Sequence, residues 1–519
     1  MTSRDNDIEI NERFAEALAL MEEGSTNLFV TGKAGTGKST LLSWFRAHTA
    51  REIVVVAPTG VAAVNVGGQT LHSFFGFKPD ITVEKARRAG RRAAKDDAAE
   101  IYRKMRTLVI DEISMVRADL FDCADQFLRA ARGKKTKPFG GVHVVMIGDL
   151  YQLPPVVTSR ERDIFKHHYP SPFFFDSKAY AGMNVKLLEL EKIYRQHDDV
   201  FIDLLGSVRN NTIDAEGLKL LNQRVCTSRA EDADGAIYLT ALNREADAIN
   251  EEKLARIAGR ARVYKATVSG EFDEKAYPAD RALSLKGGAQ VMLLSNDYRG
   301  RWVNGTIGTV VGLDDASIAV EFADGSIEEV EPYTWQMFRF DLHEKTKRIV
   351  SEATGTFTQL PVMLAWAVTI HKSQGKTFDT AVIDAGRAFA AGQVYVALSR
   401  LRTLEGMRLA RPLKKNHVRV DWRVVKFLTS HHYAISERDL PLAEKVTMIE
   451  EAIRDRRRIE IVYLKANDVK TRRVIMPLEV DEMFYGEWSF LGVRGTCELR
   501  GEERNFRVDR ILKLTLLDY

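Results

Sequence analysis

Eight consecutive residues, Gly32-Lys33-Ala34-Gly35-Thr36-Gly37-Lys38-Ser39, fill every fixed position of a phosphate-gripping loop. They follow the apolar run Asn27-Leu-Phe-Val-Thr31 and lead into Thr40-Leu-Leu-Ser-Trp-Phe. A strand that turns through glycines into a helix aims backbone N–H groups and a positive helix end at a phosphate chain. The glycines let the backbone come close, Lys38 can reach the terminal phosphates, and the Ser39 hydroxyl can hold Mg²⁺. A chance glycine-rich turn would not carry all of these positions in this context.

Four further stretches supply what triphosphate hydrolysis needs. Thr107-Leu-Val-Ile-Asp111-Glu112 sets two carboxylates at the end of an apolar strand, on the side where open α/β sheets bind ligands. Asp111 is suited to hold Mg²⁺ through water, and Glu112 to orient or deprotonate the attacking water. In isolation such a pair often only caps a helix; downstream of a phosphate loop the chemical role is favoured. Gly148-Asp149-Leu-Tyr-Gln152 ends another strand and offers a glutamine to the terminal phosphate or the water. Glu191-Lys-Ile-Tyr194-Arg195-Gln196 and Gly392-Gln393-Val-Tyr395-Val-Ala-Leu-Ser399-Arg400 each offer an arginine, a planar, permanently charged donor fitted to the γ-phosphoryl group. Either arginine alone would read as a surface ion pair; together with the loop they read as catalytic. No Asn-Lys-x-Asp stretch occurs, which disfavours a GTPase.

The elements that must position these groups follow from hydrophobic patterning. Ile53-Val-Val-Val-Ala57, Thr107-Leu-Val-Ile110 and Val142-His-Val-Val-Met-Ile147 are apolar at consecutive positions, the pattern of parallel strands covered on both faces. A second series begins at Ile237-Tyr-Leu-Thr240 and resumes at Met363-Leu-Ala-Trp-Ala-Val368 and Thr380-Ala-Val-Ile-Asp384. Between them, residues 296–359 alternate like short antiparallel strands, with turns at Asn304-Gly305 and Asp324-Gly325. Residues 72–99 break the first series, where Phe74, Phe75 and Phe77 precede the cations Lys85, Arg87, Arg88, Arg91, Arg92 and Lys95. Phosphate partners beside aromatic rings are the ingredients of single-strand binding. A solvated helix face beside core aromatics has the same composition.

At 519 residues the chain needs several cores, and 45% apolar with 29% charged residues is ordinary globular composition. A net charge of +4 says little about partners. Cys123, Cys226 and Cys497 are widely spaced, so neither a zinc site nor a disulfide framework is legible, and a reducing compartment follows. The N-terminal residues lack the apolar segment of a signal peptide, and no apolar run approaches the roughly 18 residues of a membrane span. A soluble cytosolic protein is expected.

In order and spacing, several stretches resemble superfamily-one helicases of the PIF type, with RecD-like relatives. They are the phosphate loop, Ala57-Pro58-Thr59-Gly60, Asp111-Glu112-Ile-Ser114-Met115, the Gly148 run, Phe173-Phe-Phe-Asp176-Ser177, Tyr194-Arg195-Gln196, Thr369-Ile-His371-Lys372-Ser373-Gln374-Gly375 and Tyr395-Val-Ala-Leu-Ser399-Arg400. The resemblance spans about residues 10–415. It implies an α/β fold of two RecA-like phosphate-loop lobes, residues 1–190 and 191–428, with a wedge insertion at 72–99 and an SH3-like β insertion at 296–359. It implies an ATP-dependent, Mg²⁺-requiring DNA helicase that moves 5′-to-3′ along single-stranded DNA and opens tailed or forked duplexes, as a monomer in the bacterial cytosol at the nucleoid.

Carried over by motif, the resemblance implies nucleotide binding by Gly32, Gly35, Thr36, Gly37, Lys38, Ser39, Thr40, Gln374 and Gly375. It implies catalysis by Lys38, Glu112, Gln152, Arg195 and Arg400, and metal binding by Ser39 and Asp111. DNA would be faced by Pro58, Thr59, Gly60, His72, Phe74 and His371. One departure stands ahead of the loop. The family commonly has an adenine-reading glutamine there, and Asn11-Glu-Arg-Phe-Ala-Glu-Ala-Leu18 has none, which removes the basis for expecting strict ATP preference.

Beyond a linker expected at 429–441, residues 442–519 resemble the WYL domain, a small β-rich sensor of bacterial regulators. The resemblance is carried by Ile459-Glu-Ile-Val-Tyr463, Arg472-Arg473-Val-Ile-Met-Pro477, Glu487-Trp488-Ser489-Phe490-Leu491 and Arg504-Asn-Phe506-Arg507-Val-Asp509-Arg510. Ser489-Phe490-Leu491 stands where the family has Trp-Tyr-Leu. Tyr463, Arg473, Arg504, Arg507 and Arg510 suit an anionic ligand or nucleic acid, and equally the packing and ion pairs of a small fold. A second class of function also fits the chain: a nucleic-acid-binding regulator whose ATPase is a switch that opens no duplex.

Overall fold

The computed structural model describes residues 10–517 apart from 79, 96–98, 158, 227–234, 344–345, 347 and 487. Its contacts divide the chain into two units, Met1–Val208 with Ile213–Arg419, and Arg209–Thr212 with Val420–Tyr519.

The first unit is built on two parallel sheets. In the first, Asn27–Gly32 lies between His143–Ile147 and Val185–Leu190, and the order continues through Thr107–Ile110 and Ile53–Ala57 to the short edge strand Gln69–Thr70. Every pairing is parallel, and Val54 to Ala57, Leu108 to Ile110 and Val144 to Ile147 are fully buried. Their consecutive apolar residues are what two covered faces demand. The second sheet orders Ala367–Thr369, Ile237–Thr240, Ala381–Ile383 and Met407–Leu409, again all parallel. Both sheets turn the carboxyl ends of their strands toward loops that carry the residues of interest.

Residues inserted in the first lobe form the helices Leu71–Phe75 and Val83–Ala93, capped by the hydroxyls of Thr70 and Thr82. Val83–Ala93 lies on Ala118–Ala131 through Gly90, where a Cβ would stand 2.3 Å from the Phe127 carbonyl oxygen. The opposite face exposes Lys85, Arg87, Arg88, Arg91, Arg92 and Lys95. Phe74, Phe75 and Phe77 do not present stacking surfaces. They are buried and ring-packed with Tyr102 and Phe127, so the stacking role expected of Phe74 is replaced by a place in the core.

The β insertion is wider than 296–359. Its five-stranded antiparallel sheet runs Ile327–Val330, Ile318–Phe322, Ile307–Leu313, Gln290–Leu293, Val362–Leu364. Arg262–Lys265 pairs with Ala282–Leu285, and Thr267–Gly270 pairs with the far strand of the hairpin Tyr333–Leu342/Ile349–Gln359. The module therefore occupies Arg262 to Leu364. Its long hairpin also meets the first lobe: Gln69 accepts from Phe340 N–H at 3.1 Å and Glu52 from Ile349 N–H at 2.6 Å.

In the second unit, residues 429–439 are not a linker but the C-terminal half of the helix Trp422–Asp439. Ser436 explains why polar composition concealed it: its hydroxyl bonds the Ile511 and Leu512 carbonyls, and buried Lys445 donates to it at 2.8 Å. The helix Leu442–Arg454 follows, then a five-stranded antiparallel sheet ordered Glu502–Arg507, Trp488–Cys497, Lys470–Tyr485, Ile459–Leu464, Ile511–Leu516. Ile449, Ala452, Ile459, Ile461, Ile475 and Val493 fill its core. No helix among the described residues is long and apolar enough to cross a membrane.

Candidate nucleotide site between the two parallel sheets

Strand Asn27–Gly32 delivers the loop, and helix Lys38–His48 leaves it. Gly35 and Gly37 have φ of 81° and 84°, a left-handed backbone that favours glycine. Gly35 has a second reason to lack a side chain, since a Cβ there would stand 2.6 Å from the Arg195 Cβ. Lys38 donates to the Gly32 and Lys33 carbonyls at 2.8 and 2.9 Å, which lays its ammonium along the loop. Thr36 donates to the Lys33 carbonyl, while Ser39 and Thr40 are exposed on the first turn of the helix.

Asp111 and Glu112 leave the end of Thr107–Ile110, with Asp111 buried. Glu112 takes φ 48°, ψ 44°, a strained choice for a side chain of its size. It is held there from the other sheet, because Gln374 Nε2 donates to its carboxylate at 3.0 Å. Burial raises both acids above the carboxylate range, and the charge of Asp111 raises Glu112 further. Lys38 and Arg400 pull Glu112 back down, so cations from both lobes act on one carboxylate.

Arg400 is 2% exposed, its Nε on the Val396 carbonyl at 2.8 Å and an Nη on the Ser399 hydroxyl at 2.9 Å. Burial and the neighbouring charge of Arg195 hold it below the usual guanidinium range. Arg195 donates to the Ser399 carbonyl at 3.1 Å, and Gln196 donates to the Ser399 and Leu401 carbonyls. Tyr194 N–H closes on the Gly35 carbonyl at 2.8 Å. The Tyr194–Gln196 segment thus joins the phosphate loop to the turn that bears Arg400. Gly392, at φ 77°, approaches so closely that a Cβ would stand 2.2 Å from the carbonyl oxygen of Gln152. Gln152 is buried, with its amide near Asp149 at 3.4 Å.

The donor set suits a hard divalent cation. The Ser39 hydroxyl and the Asp111 carboxylate are oxygen donors, and two buried acids crowded together favour positive charge between them. Among the described residues no cluster of three or more His, Cys, Asp or Glu side chains forms a cage, so phosphate and water would supply the remaining ligands.

The residues expected to face DNA form a separate set. Pro58, Thr59 and Gly60 follow Ile53–Ala57, and Thr59 is exposed while its hydroxyl caps the next helix. His72 is half-buried, and His371 is exposed just beyond Ala367–Thr369. Gly60 faces Ala276 of the β insertion, where a Cβ would come within 2.4 Å of the alanine methyl. Gly375, at φ 79°, has open space around it.

Two neighbours of the loop carry no role that motif chemistry assigns. The Tyr395 hydroxyl accepts from Ala34 N–H at 2.8 Å. Asn11, in the segment without a glutamine, donates to the Tyr194 hydroxyl at 2.8 Å, and the rings of Tyr194 and Phe14 flank Gly37. Only the position of Tyr395 five residues before Arg400 could have signalled its role.

Residues 9–217 match the PIF1-like helicase family, and residues 444–516 match the WYL domain. The ATP-dependent DNA helicase Pif1 of Bdellovibrio bacteriovorus is 35% identical over 415 residues, covering 78% of this chain and 88% of that protein. The crystal structure of Bacteroides sp Pif1 in complex with ADP-AlF4 superposes with a TM-score of 0.74 at 37% identity, covering 82% of this chain and 97% of that one. The Bacteroides Pif1 structure bound to ssDNA gives a TM-score of 0.57 at 36% identity, covering 84% and 97%.

Proposed function

The chain belongs to the PIF1-like helicase family and is an ATP-dependent DNA helicase, and from that premise we propose that it is a single-stranded DNA translocase that moves 5′-to-3′ and unwinds tailed or forked duplexes. The observation that carries this is Glu112, held by Gln374 from the second lobe while it shares the electrostatic field of Lys38 and Arg400. A carboxylate gripped from both sides makes hydrolysis conditional on lobe closure, and opening and closing around a threaded strand is directional work.

In this scheme Gly32, Gly35, Thr36, Gly37 and Thr40 cradle the phosphates by backbone and hydroxyl, and Lys38 leaves its loop carbonyls for the terminal phosphates. Ser39 and Asp111 would hold Mg²⁺, which would supply positive charge against the phosphates. Glu112 takes the proton of the attacking water, which Gln152 and Gln374 orient. Arg195 and Arg400 stabilise charge on the γ-phosphoryl group, and Gly375 gives the turn carrying Gln374 its freedom to move. Pro58, Thr59, Gly60, His72 and His371 contact the strand, and the exposed cations of Val83–Ala93 guide duplex phosphates at the wedge. The WYL-like unit modulates DNA engagement or senses an anionic ligand through Tyr463, Arg473, Arg504, Arg507 and Arg510. The working species is a cytosolic monomer.

With no glutamine between Asn11 and Leu18 to read adenine, GTP should support turnover within about tenfold of ATP. ATP turnover with and without single-stranded DNA tests the scheme. DNA should stimulate the wild type, Lys38→Ala should abolish turnover, and chelation of Mg²⁺ should do the same; turnover retained by Lys38→Ala would remove the site from the loop.

A further inference from the structure

Tyr395 sits in the Gly392–Arg400 stretch without a part in the chemistry described so far. It is buried on the helix Gln393–Leu398, and the bond its hydroxyl accepts from Ala34 N–H links residues 361 apart in sequence. Ala34 is buried within the phosphate loop, and a buried backbone N–H requires an acceptor. Here that acceptor comes from the other lobe.

The chemistry of a phenol suits the place. Arg195 and Arg400 both lie within electrostatic reach of the ring. A third cation beside them would be repelled, and a carboxylate would lock them into ion pairs and away from phosphate. A phenol stays neutral near pH 7 and can accept and donate at once. The chain between Tyr395 and Arg400 is also stiff: Ser399 N–H bonds the Tyr395 carbonyl at 2.9 Å, and Arg400 Nε bonds the Val396 carbonyl. Moving the phenol against the loop therefore moves the guanidinium with it.

We propose that Tyr395 is a positioning residue for ATP hydrolysis, whose hydroxyl docks on Ala34 N–H and so sets the arginine-bearing turn in register with the phosphate loop. This placement rests on Arg400 serving the γ-phosphoryl group.

The test uses the full chain at saturating single-stranded DNA, comparing wild type, Tyr395→Phe, Arg400→Ala and the double variant. Phe keeps the ring and deletes one hydroxyl. Misplacing Arg400 should lower kcat by about 10- to 100-fold, leaving KM and the Kd of a fluorescent ATP analogue within about twofold. Because Tyr395 acts through Arg400, the double variant should be no slower than Arg400→Ala. A Tyr395→Phe kcat within about twofold of wild type, a loss carried in KM, or losses that multiply in the double variant would overturn the proposal. If Arg400→Ala alone turns over normally while wild type is DNA-stimulated, the arginine assignment fails first, and the proposal with it. Hydrogen exchange on wild type needs no variant to fold: the Ala34 amide should be protected without nucleotide, and exchange at the rate of an open loop would contradict the docking.

Discussion

Glu112 is the residue on which both lobes converge. A left-handed glutamate is tolerated because Gln374 fixes its carboxylate from the opposite lobe, and its raised proton affinity comes from burial beside Asp111. Two substitutions separate binding from chemistry there. Arg195→Ala should leave nucleotide affinity within a few-fold while lowering kcat by roughly 10³-fold, as loss of a γ-phosphoryl donor does, measured by single-turnover hydrolysis. Gly392→Ala tests closure, since the added methyl would meet the Gln152 carbonyl and hold the lobes apart. A displacement near 1 Å should lower kcat by about 100-fold without changing the fold, read by DNA-stimulated turnover alongside melting temperature. Most of these groups were legible in the sequence because phosphate chemistry fixes both residue type and spacing. Tyr395 was not, because its work depends on a long-range contact with a backbone N–H rather than on a reactive side chain.

Elements show a different limit. Parallel strands were readable because two covered faces write unbroken apolar runs, as in Ile53–Ala57 and His143–Ile147. Strand alternation marks only residues 296–359 of the β insertion because Arg262–Lys265 and Thr267–Gly270 find their partners far along the chain, in Ala282–Leu285 and Ile349–Gln359. Residues 429–441 read as a linker because polar and charged side chains dominate, whereas Ser436 and Lys445 satisfy one another inside the fold. That correction moves the useful boundary. A chain ending at Arg419 should keep DNA-stimulated turnover and stay monodisperse by size-exclusion chromatography. One ending at Thr429 strands Val424 and Leu428, both buried in the full chain, on a helical stub and should aggregate. Within the second unit, Ile461→Ala should cost about 2–5 kcal/mol in its own denaturant transition, while ATP turnover is unchanged.

For the whole molecule, two parallel sheets bracket one phosphate loop, and the residues expected to face DNA lie at the carboxyl ends of strands in both. In the proposed scheme, hydrolysis at the first set would change how the lobes hold the second. The central claim is therefore directional movement of a strand driven by closure over ATP. Its most direct measurement is ATP-dependent strand displacement by the full chain on duplexes differing only in whether the single-stranded tail is 5′ or 3′. The wild type should open the 5′-tailed duplex and not the 3′-tailed duplex, and Lys38→Ala should open neither. Opening of the 3′-tailed duplex alone, or of neither by a wild type that hydrolyses ATP, would contradict it.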